Sequence, residues 1–134
     1  MTREKLGQLS WLRLEMEDLQ NRIMKLEEIL TGRTSRMDGM PWLGGKKDLT
    51  DDMVAQIADL REQYGARKQI ALQELKRIEE FIAQISDSQM RLLFTLRYID
   101  NLSWHQVAWK IGGNNTADSV RMVHNRYLKA SDGE

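Results

Sequence analysis

Two side chains near the carboxyl end of the chain have the chemistry of base recognition. Arg121 and Asn125 are four residues apart, so a helix places them on one face. An arginine can donate two hydrogen bonds to a guanine, and an asparagine can pair with an adenine or bind a phosphate. Both side chains lie opposite the predicted buried face of this helix, where a DNA-recognition helix meets base edges, and the alternative is an ordinary solvated helix face. The other positions of the predicted reading face are Ala117, Asp118, Met122 and Arg126.

The elements that must position these side chains are two short helices in the segment 102–128. Ser103 is a suitable N-cap for the first helix, because its hydroxyl can accept a hydrogen bond from a free amide of the first turn. Gly112 and Gly113 are expected to end that helix, since glycine adopts a positive φ at little steric cost.

A second start signal opens the second helix, which we expect over residues 116–129. Asn115 or Thr116 serves as its N-cap, and Asp118 in the first turn is favourably placed at the positive helix end. The apolar positions at helical spacing predict the buried sides of the two helices: Val107, Ala108, Ile111, Val120, Val123, Tyr127 and Leu128. Two short helices joined by a glycine-containing turn predict a helix-turn-helix, whose second helix can enter the major groove.

The first turn of the first short helix offers backbone amides that can hold a phosphate. Ser103 and Trp104 begin this turn and are therefore predicted DNA contacts. The alternative is plain capping by Ser103 with partial burial of the Trp104 indole. We interpret Trp109, at the other end of the helix, as a packing or interface residue.

The segments RYIDNLSWHQVAWKIGG and TADSVRMVHNRYLK resemble region 4 of sigma factors, which reads the −35 promoter element. The chain is closer still to a phage-encoded family of uncharacterised proteins, in which a sigma-like tail follows a coiled coil. That family is similar to the RinA and ArpU late-gene activators of phages of Gram-positive bacteria. The resemblance is good over about the last third of the chain and implies a transcriptional role.

The resemblance to sigma region 4 also implies base-reading roles for particular residues. The positions that match the base-reading set are Ala117, Asp118, Arg121 and Met122. Sigma factors commonly carry long basic side chains at the positions held here by Ala117 and Ser119. Met122 replaces a polar reader and can contact only a thymine methyl.

Upstream, apolar residues step by three and four, which is typical of a coiled coil. The first stripe consists of Leu9, Leu12, Met16, Leu19, Ile23, Leu26 and Leu30. It predicts a helix over residues 4–31 that Gly32 ends. The segment at about 32–50 is glycine-rich and reads as a loop. Trp42 in this loop either covers the end of the helix pair or docks on a partner.

A second long helix is predicted to begin at Thr50 as its N-cap. Its stripe consists of Met53, Ile57, Leu60, Tyr64, Ala71, Leu75, Ile78, Ile82 and Ile85. The step from Tyr64 through Lys68 to Ala71 predicts a four-residue stutter. Ser86 with Gln89 fits a capping box that opens the next helix, so we place a boundary near residue 86.

These elements predict an all-α chain with two domains. Residues 1–85 form a long antiparallel helical hairpin, a coiled coil for oligomerisation, and residues 86–134 form a sigma region 4-like helix-turn-helix domain. Each long helix is apolar on one narrow face and is not stable alone. Helix two is longer than helix one, so part of its stripe needs another partner. We therefore expect a homodimer through the coiled coil.

Charge is balanced, with 20 Lys and Arg residues against 20 Asp and Glu residues. Residues 86–134 hold six basic and five acidic residues, so one copy of this tail should bind DNA weakly. The chain has no cysteine and no apolar run long enough for a membrane span. We expect a protein of the bacterial host cytoplasm that does not enter the membrane.

The remaining reactive residues do not form a recognisable catalytic pattern. His105 and His124 are the only histidines and lie on different predicted helices, with no convincing carboxylate cluster nearby. The run from Gly44 to Lys47 lacks the strand and the spacing of a phosphate-binding loop. We expect no enzyme activity, no metal and no cofactor.

The leading hypothesis is a sequence-specific DNA-binding transcriptional regulator of phage or prophage type that binds double-stranded DNA, with RNA polymerase as a further partner. The alternative is a non-enzymatic interaction module, whose helix-turn-helix no longer reads DNA and which binds RNA polymerase, another regulator or packaging machinery. A small terminase subunit is a third reading, although those proteins generally place the DNA-binding part first.

Overall fold

The structure is a computed structural model that describes residues 1–31 and 47–132, with only the backbone described at residues 47–49 and 132. The described residues are mostly helical and include no β-strand. The helices are α1 (Arg3–Thr31), α2 (Lys47–Ala83), α3 (Ser88–Phe94), α4 (Trp104–Ile111) and α5 (Ala117–Asp132). A π-helical turn, Thr95–Ile99, follows α3 directly. The predicted all-α class is confirmed. No helix among the described residues is long and apolar enough to cross a membrane.

Helix α1 confirms the predicted helix to within one residue at its start. Along its stripe, Leu9, Leu12 and Leu19 are buried, and the other predicted positions are half-buried. The predicted end at Gly32, most of the loop at 32–50, and Trp42 lie outside the described residues.

Helix α2 begins at Lys47, so the prediction that Thr50 is its N-cap is wrong. Thr50 lies inside the first turn. Leu49 precedes Met53 by four residues, so the helical apolar spacing extends one turn further back than Thr50.

The predicted four-residue stutter in α2 is not needed to keep the stripe in register, because the seven-residue repeat continues through Arg67. Lys68 is exposed, whereas Arg67 is half-buried on the stripe and its Nε lies 2.9 Å from Oε2 of Glu15 on α1. The long side chain of Arg67 can cover apolar surface with its stem while its guanidinium stays in solvent. Buried or half-buried positions recur at seven-residue spacing without interruption: Ile57, Tyr64, Ala71, Ile78 and Ile85.

The chain forms two compact units. One unit is Leu12–Ile70, in which α1 and α2 contact each other. Besides Arg67 and Glu15, Gln20 Nε2 donates to the Tyr64 hydroxyl at 3.3 Å, and Arg61 forms an ion pair with Glu27. Along these three contacts the residue number increases on α1 (15, 20, 27) and decreases on α2 (67, 64, 61), so the paired segments run antiparallel.

The other unit comprises Met1–Trp11 and Ala71–Glu134. Its fully or nearly fully buried side chains are Leu6, Leu9, Ala71, Ile78, Ile82, Ile85, Leu93, Phe94, Leu96, Val107, Ala108, Val120, His124 and Leu128. The packing units change after Trp11 and after Ile70, whereas the sequence predicted one division between residues 85 and 86. The functional division into an oligomerisation part and a DNA-binding part stays a prediction.

Helix α3 begins one residue later than a Ser86 cap requires. Its N-cap is Asp87, whose Oδ1 accepts a hydrogen bond from the amide of Gln89 at 3.3 Å. The predicted capping box of Ser86 with Gln89 is therefore wrong. Both residues are good N-caps, and the carboxylate of Asp87 gains additionally from the positive end of the helix.

Candidate nucleic-acid interface

The start of α4 confirms Ser103 as its N-cap. The Gln106 amide donates to Ser103 Oγ at 3.2 Å, and the Ser103 amide donates to Gln106 Oε1 at 2.9 Å. This reciprocal capping box satisfies two free amides of the first turn. The hydroxyl and the amide of Ser103 are both engaged in hydrogen bonds within the cap.

The turn between α4 and α5 depends on two glycines in conformations that other residues rarely adopt. Gly112 has φ +79° and Gly113 has φ +68°, as the sequence predicts. The Gly112 amide still donates to the Ala108 carbonyl at 3.0 Å, and Asn115 Nδ2 donates to the Gly112 carbonyl at 2.9 Å. The direction of the chain after α4 is therefore fixed by hydrogen bonds as well as by backbone conformation.

Thr116 is the N-cap of α5. The Ser119 amide donates to Thr116 Oγ1 at 3.1 Å, and the Thr116 amide donates to Ser119 Oγ at 2.8 Å. Of the two predicted caps, Thr116 takes this role, while Asn115 binds the turn. Ser119 stands at the third helical position, where it closes a reciprocal pair as Gln106 does in α4.

The buried face of α5 differs from the prediction at one position. Val123 is 39% exposed, and the side chain that is fully buried is that of its neighbour His124. His124 follows Val120 by four residues and precedes Leu128 by four, so the three lie in one row along the helix. Tyr127 is half-buried beside this row.

His124 lies in an aromatic cluster. Its ring centroid is 5.1 Å from that of Phe94, 5.5 Å from that of Tyr98 and 4.8 Å from that of Trp104. Phe94, itself fully buried, also packs edge-on against Phe81 and Tyr127. Such contacts add to the free energy gained by burying the rings.

Both nitrogens of the His124 ring have partners. Nδ1–H donates to Oδ1 of Asn125 at 2.9 Å, and Nε2 accepts a hydrogen bond from the Tyr98 hydroxyl. These partners suit the neutral ring with its proton on Nδ1. Burial lowers the pKa of His124, the hydrogen bond to Asn125 raises it, and the charges of Arg97 and Arg3 lower it further.

The pKa of Tyr98 is shifted upward, opposite to that of His124. Burial raises the pKa of its phenol to about 12, while the charges of Arg97 and Arg3 act to lower it. Both members of the pair are therefore neutral near pH 7. The pair is a structural contact with two satisfied groups.

Trp104 is half-buried between this cluster and a guanidinium. Its ring packs edge-on against His124, and Cζ of Arg97 lies 4.5 Å from the centroid of the indole ring. Arg97 also donates from Nη1 to the Leu102 carbonyl at 2.9 Å. This packing matches the alternative interpretation of Trp104, partial burial of the indole.

The predicted reading face of α5 is mostly solvent-exposed. Asp118, Arg121, Met122 and Arg126 are exposed, whereas Ala117 and Asn125 are half-buried. Nη2 of Arg121 lies 3.0 Å from Oδ1 of Asp118, in an ion pair that is largely open to solvent. Asn125 is held at the edge of the face by its hydrogen bond to His124. Their roles in DNA binding stay predictions.

The two histidines thus have separate environments, His105 exposed and His124 buried. Within the part of the chain that the structure describes, no group of three or more His, Asp or Glu side chains could hold a metal ion.

Sequence reasoning missed the contributions of His124, Arg97 and Arg3. The position of His124 between Val120 and Leu128 was a usable signal, since the four-residue spacing marks the buried row. Arg3 and Arg97 gave no such signal, because the place of Arg3 beside Tyr98 and of both arginines near His124 results from packing between distant parts of the chain.

A family profile described as "Protein of unknown function (DUF1492)" matches residues 33–127. The chain belongs to the DUF1492 family. The match spans α2 to most of α5, and its description is that of a family of unknown function. No curated protein and no solved structure matches the chain significantly. The DUF1492 description assigns no activity, so the likeness to sigma region 4 and to the RinA and ArpU regulators stays a prediction.

Proposed function

We propose that the protein is a sequence-specific DNA-binding transcriptional regulator of phage or prophage type, acting in the cytoplasm of the bacterial host. In this proposal α4, the turn at residues 112–116 and α5 form a sigma region 4-like helix-turn-helix. Helix α5 enters the major groove of double-stranded DNA. The observation that carries the proposal is the exposed row of Asp118, Arg121 and Met122 on a helix that is capped at its start and anchored by buried side chains.

Anchoring of α5 supports a reading role because base recognition needs side chains at fixed positions. Val120, His124 and Leu128 hold the inner face of the helix, and Thr116 with Ser119 holds its start. Arg121 is then free to exchange its exposed contact with Asp118 for a guanine, since exposed ion pairs contribute little to stability. Met122 is 53% exposed and offers an apolar contact for a thymine methyl.

The near balance of charge favours action as a dimer, because two weakly basic tails together neutralise more phosphates than one. We propose that α1 and α2 form an antiparallel coiled-coil hairpin that supplies the dimer contact. The opposite order of their contact pairs supports the hairpin. Large apolar side chains that remain exposed on α1 support a second copy: Trp11, Leu14 and Met24.

The experiment for this proposal is selection of bound duplexes from random DNA at near-physiological salt, using the full chain. A discrete enriched motif is expected. Arg121→Ala should weaken binding to that motif by roughly 1–3 kcal/mol and relax the preference at one base pair. Arg77→Ala is the matched control, because Arg77 is an exposed arginine on α2 paired with Glu74. Equal binding by both variants would show that α5 is not the reader.

A second candidate function, a non-enzymatic interaction module, is favoured by the exposure of Trp109. Its indole is 81% exposed on α4, and Val123 is exposed on α5. Exposed aromatic side chains of this kind commonly anchor protein partners. RNA polymerase, another regulator or packaging machinery would then be the partner. A folded protein that enriches no DNA motif, and that loses binding to purified RNA polymerase on Trp109→Ala, would favour this function over DNA reading.

A further inference from the structure

Three arginines from distant parts of the chain line one cleft in the unit that holds α3, α4 and α5. The cleft has a volume of about 270 Å³. Arg3 comes from the first turn of α1, Arg97 from the π-helical turn and Arg121 from α5. Tyr98, Trp104 and His124 supply its aromatic wall, and none of its described lining residues is acidic.

The charge of this cleft is not cancelled from within. His124 and Tyr98 are neutral near pH 7, so the wall adds no negative charge. Arg97 is positioned by the Leu102 carbonyl and the Trp104 ring, and neither is an anion. Arg121 has one exposed carboxylate partner, Asp118, which does not line the cleft. The Arg3 guanidinium makes no hydrogen bond or ion pair with the residues that the structure describes.

Three arginines line this cleft and no carboxylate is among its lining residues, so a bound anion gains favourable electrostatic interactions there. The planar fork of arginine donors matches the oxygens of a phosphate in particular. The charges of Arg3 and Arg97 act on both Tyr98 and His124, so these two arginines lie near the aromatic wall of the cleft.

We propose that Arg3, Arg97 and Arg121 form an anion site that binds a phosphate group. The site goes beyond the proposed reading of bases, because it takes Arg121 from the edge of the reading face and adds Arg97 and Arg3, of which Arg3 lies far outside the helix-turn-helix segment. The phosphate belongs either to a DNA backbone or to a small phosphorylated ligand. The chemistry of recognition is the same in both cases.

Gly7 gives the site a second structural requirement. It lines the cleft one helical turn after Arg3, and a Cβ built on it meets no atom within 4 Å. The missing side chain therefore leaves the cleft open. A longer side chain at this position should obstruct the cleft without breaking a contact of the fold, and it should favour the helix.

The first experiment measures binding of inorganic pyrophosphate to the full chain by calorimetry at constant ionic strength, with the Trp104 indole NMR signal reporting the location. Saturable binding is expected, with the Trp104 signal shifting in step. Arg3→Gln should weaken binding roughly tenfold, because it removes a charged donor. Arg3→Lys should weaken binding less, since it keeps the charge but loses the fork.

Two further variants test whether the cleft itself binds. Lys5→Gln removes the same charge from α1 at a residue that lines a different groove, so it should bind as the parent does. Gly7→Gln should lose binding while its unfolding temperature does not fall. Absence of saturable binding in the parent, or equal binding by Arg3→Gln and Lys5→Gln, would overturn the proposal.

The second experiment identifies the source of the phosphate. The affinity for a non-specific duplex is measured against salt for the parent, Arg3→Gln and Lys5→Gln. If the site holds a backbone phosphate, Arg3→Gln lowers the slope of log K against log salt by about 0.9, and Lys5→Gln does not. If Arg3→Gln loses pyrophosphate but keeps the DNA slope, the ligand is a small phosphorylated molecule. Because the pyrophosphate experiment contains no DNA, failure of the DNA-binding proposal leaves its outcome unaffected.

Discussion

Nδ1–H of His124 donates to Oδ1 of Asn125 at 2.9 Å, which joins a fully buried ring to a side chain at the edge of the predicted reading face. The orientation of the Asn125 side chain is therefore fixed by a buried residue. A side chain held in this way loses less conformational entropy on meeting a ligand than a free one does. The protonation of His124 thus bears on both the stability of the fold and the geometry of the exposed face.

The first prediction concerns stability in weak acid. The pKa of His124 in the folded protein is below the ordinary value of 6.5, chiefly because of burial. The unfolded chain therefore binds more protons between the two pKa values, so the free energy of unfolding falls as the pH falls below about 6.5. The stabilising effect of the neutral ring is fully present above that pH. Urea unfolding between about pH 8 and about pH 5 measures it.

Two histidine variants make this prediction specific. His124→Gln should lower stability overall and flatten its dependence on pH in that window, because the titrating ring is gone. His105→Gln should keep the parent dependence, since His105 is exposed. A parent-like slope in His124→Gln would assign the acid sensitivity to other groups.

The second prediction concerns Tyr98, whose hydroxyl donates to Nε2 of His124. Tyr98→Phe leaves that nitrogen without a partner in the core, which should cost about 1–3 kcal/mol of unfolding free energy at pH 7. The raised pKa of about 12 means that the neutral phenol stabilises the fold below pH 10. This contribution is lost as the pH rises from 10 towards 12, so the parent should lose stability there and Tyr98→Phe should lose less.

Tyr127→Phe is the matched control for Tyr98. The Tyr127 ring packs edge-on against Phe94 with centroids 5.5 Å apart, and this packing does not need the hydroxyl. We expect a change within about 0.5 kcal/mol. Equal losses for the two variants would mean that the hydrogen bond to His124 contributes nothing particular.

The sequence predicted the helices well where apolar spacing and end signals agreed. The extent of α1, the cap at Ser103 and the two positive φ values at Gly112 and Gly113 all followed from local physical chemistry. Local rules failed where neighbouring residues compete with nearly equal free energies. Ser86 and Asp87 are adjacent good caps, and both Arg67 and Lys68 can follow Tyr64 on a helix face.

The candidate site was only partly predictable for a different reason. Local spacing identifies a helix face, but it does not say which polar residue finds a buried partner. The burial of His124 depends on Tyr98, 26 residues away. The approach of α1 to the loop before α4, marked by a 3.0 Å hydrogen bond from Ser10 Oγ to Asn101 Oδ1, spans 91 residues. Contacts of this range arise from tertiary packing, which periodicity does not encode.

The third prediction concerns the turn before α5. Gly112 combines φ +79° with ψ −161°, a region that is open essentially to glycine alone. Gly112→Ala should therefore destabilise the fold by about 1–3 kcal/mol through backbone strain. A steric clash does not contribute, since the added Cβ meets no atom within 4 Å. Chemical denaturation measures the change.

Gly65→Ala provides the opposite control for the turn. Gly65 lies inside α2, and a Cβ there also meets no atom within 4 Å. Alanine should stabilise the helix by roughly 0.5–1 kcal/mol. Stabilisation by both variants would show that the turn does not require a glycine at residue 112.

The last prediction rests on the proposed DNA-binding function and uses the ion pair between Asp118 and Arg121. Asp118 puts a negative charge on the predicted reading face and occupies the guanidinium of Arg121 at 3.0 Å. Asp118→Asn removes that charge and frees the arginine, so affinity for duplex DNA should rise by roughly threefold to tenfold at low salt. The gain should shrink as salt is raised. The Asp118→Asn substitution should lower the free energy of unfolding by at most about 1 kcal/mol, because it removes an acid at the start of α5.

Glu79→Gln is the control for this prediction. It removes one exposed negative charge from α2 and should leave the affinity for duplex DNA nearly unchanged. An equal gain in both variants would make the effect one of net charge and remove the reading face from its explanation.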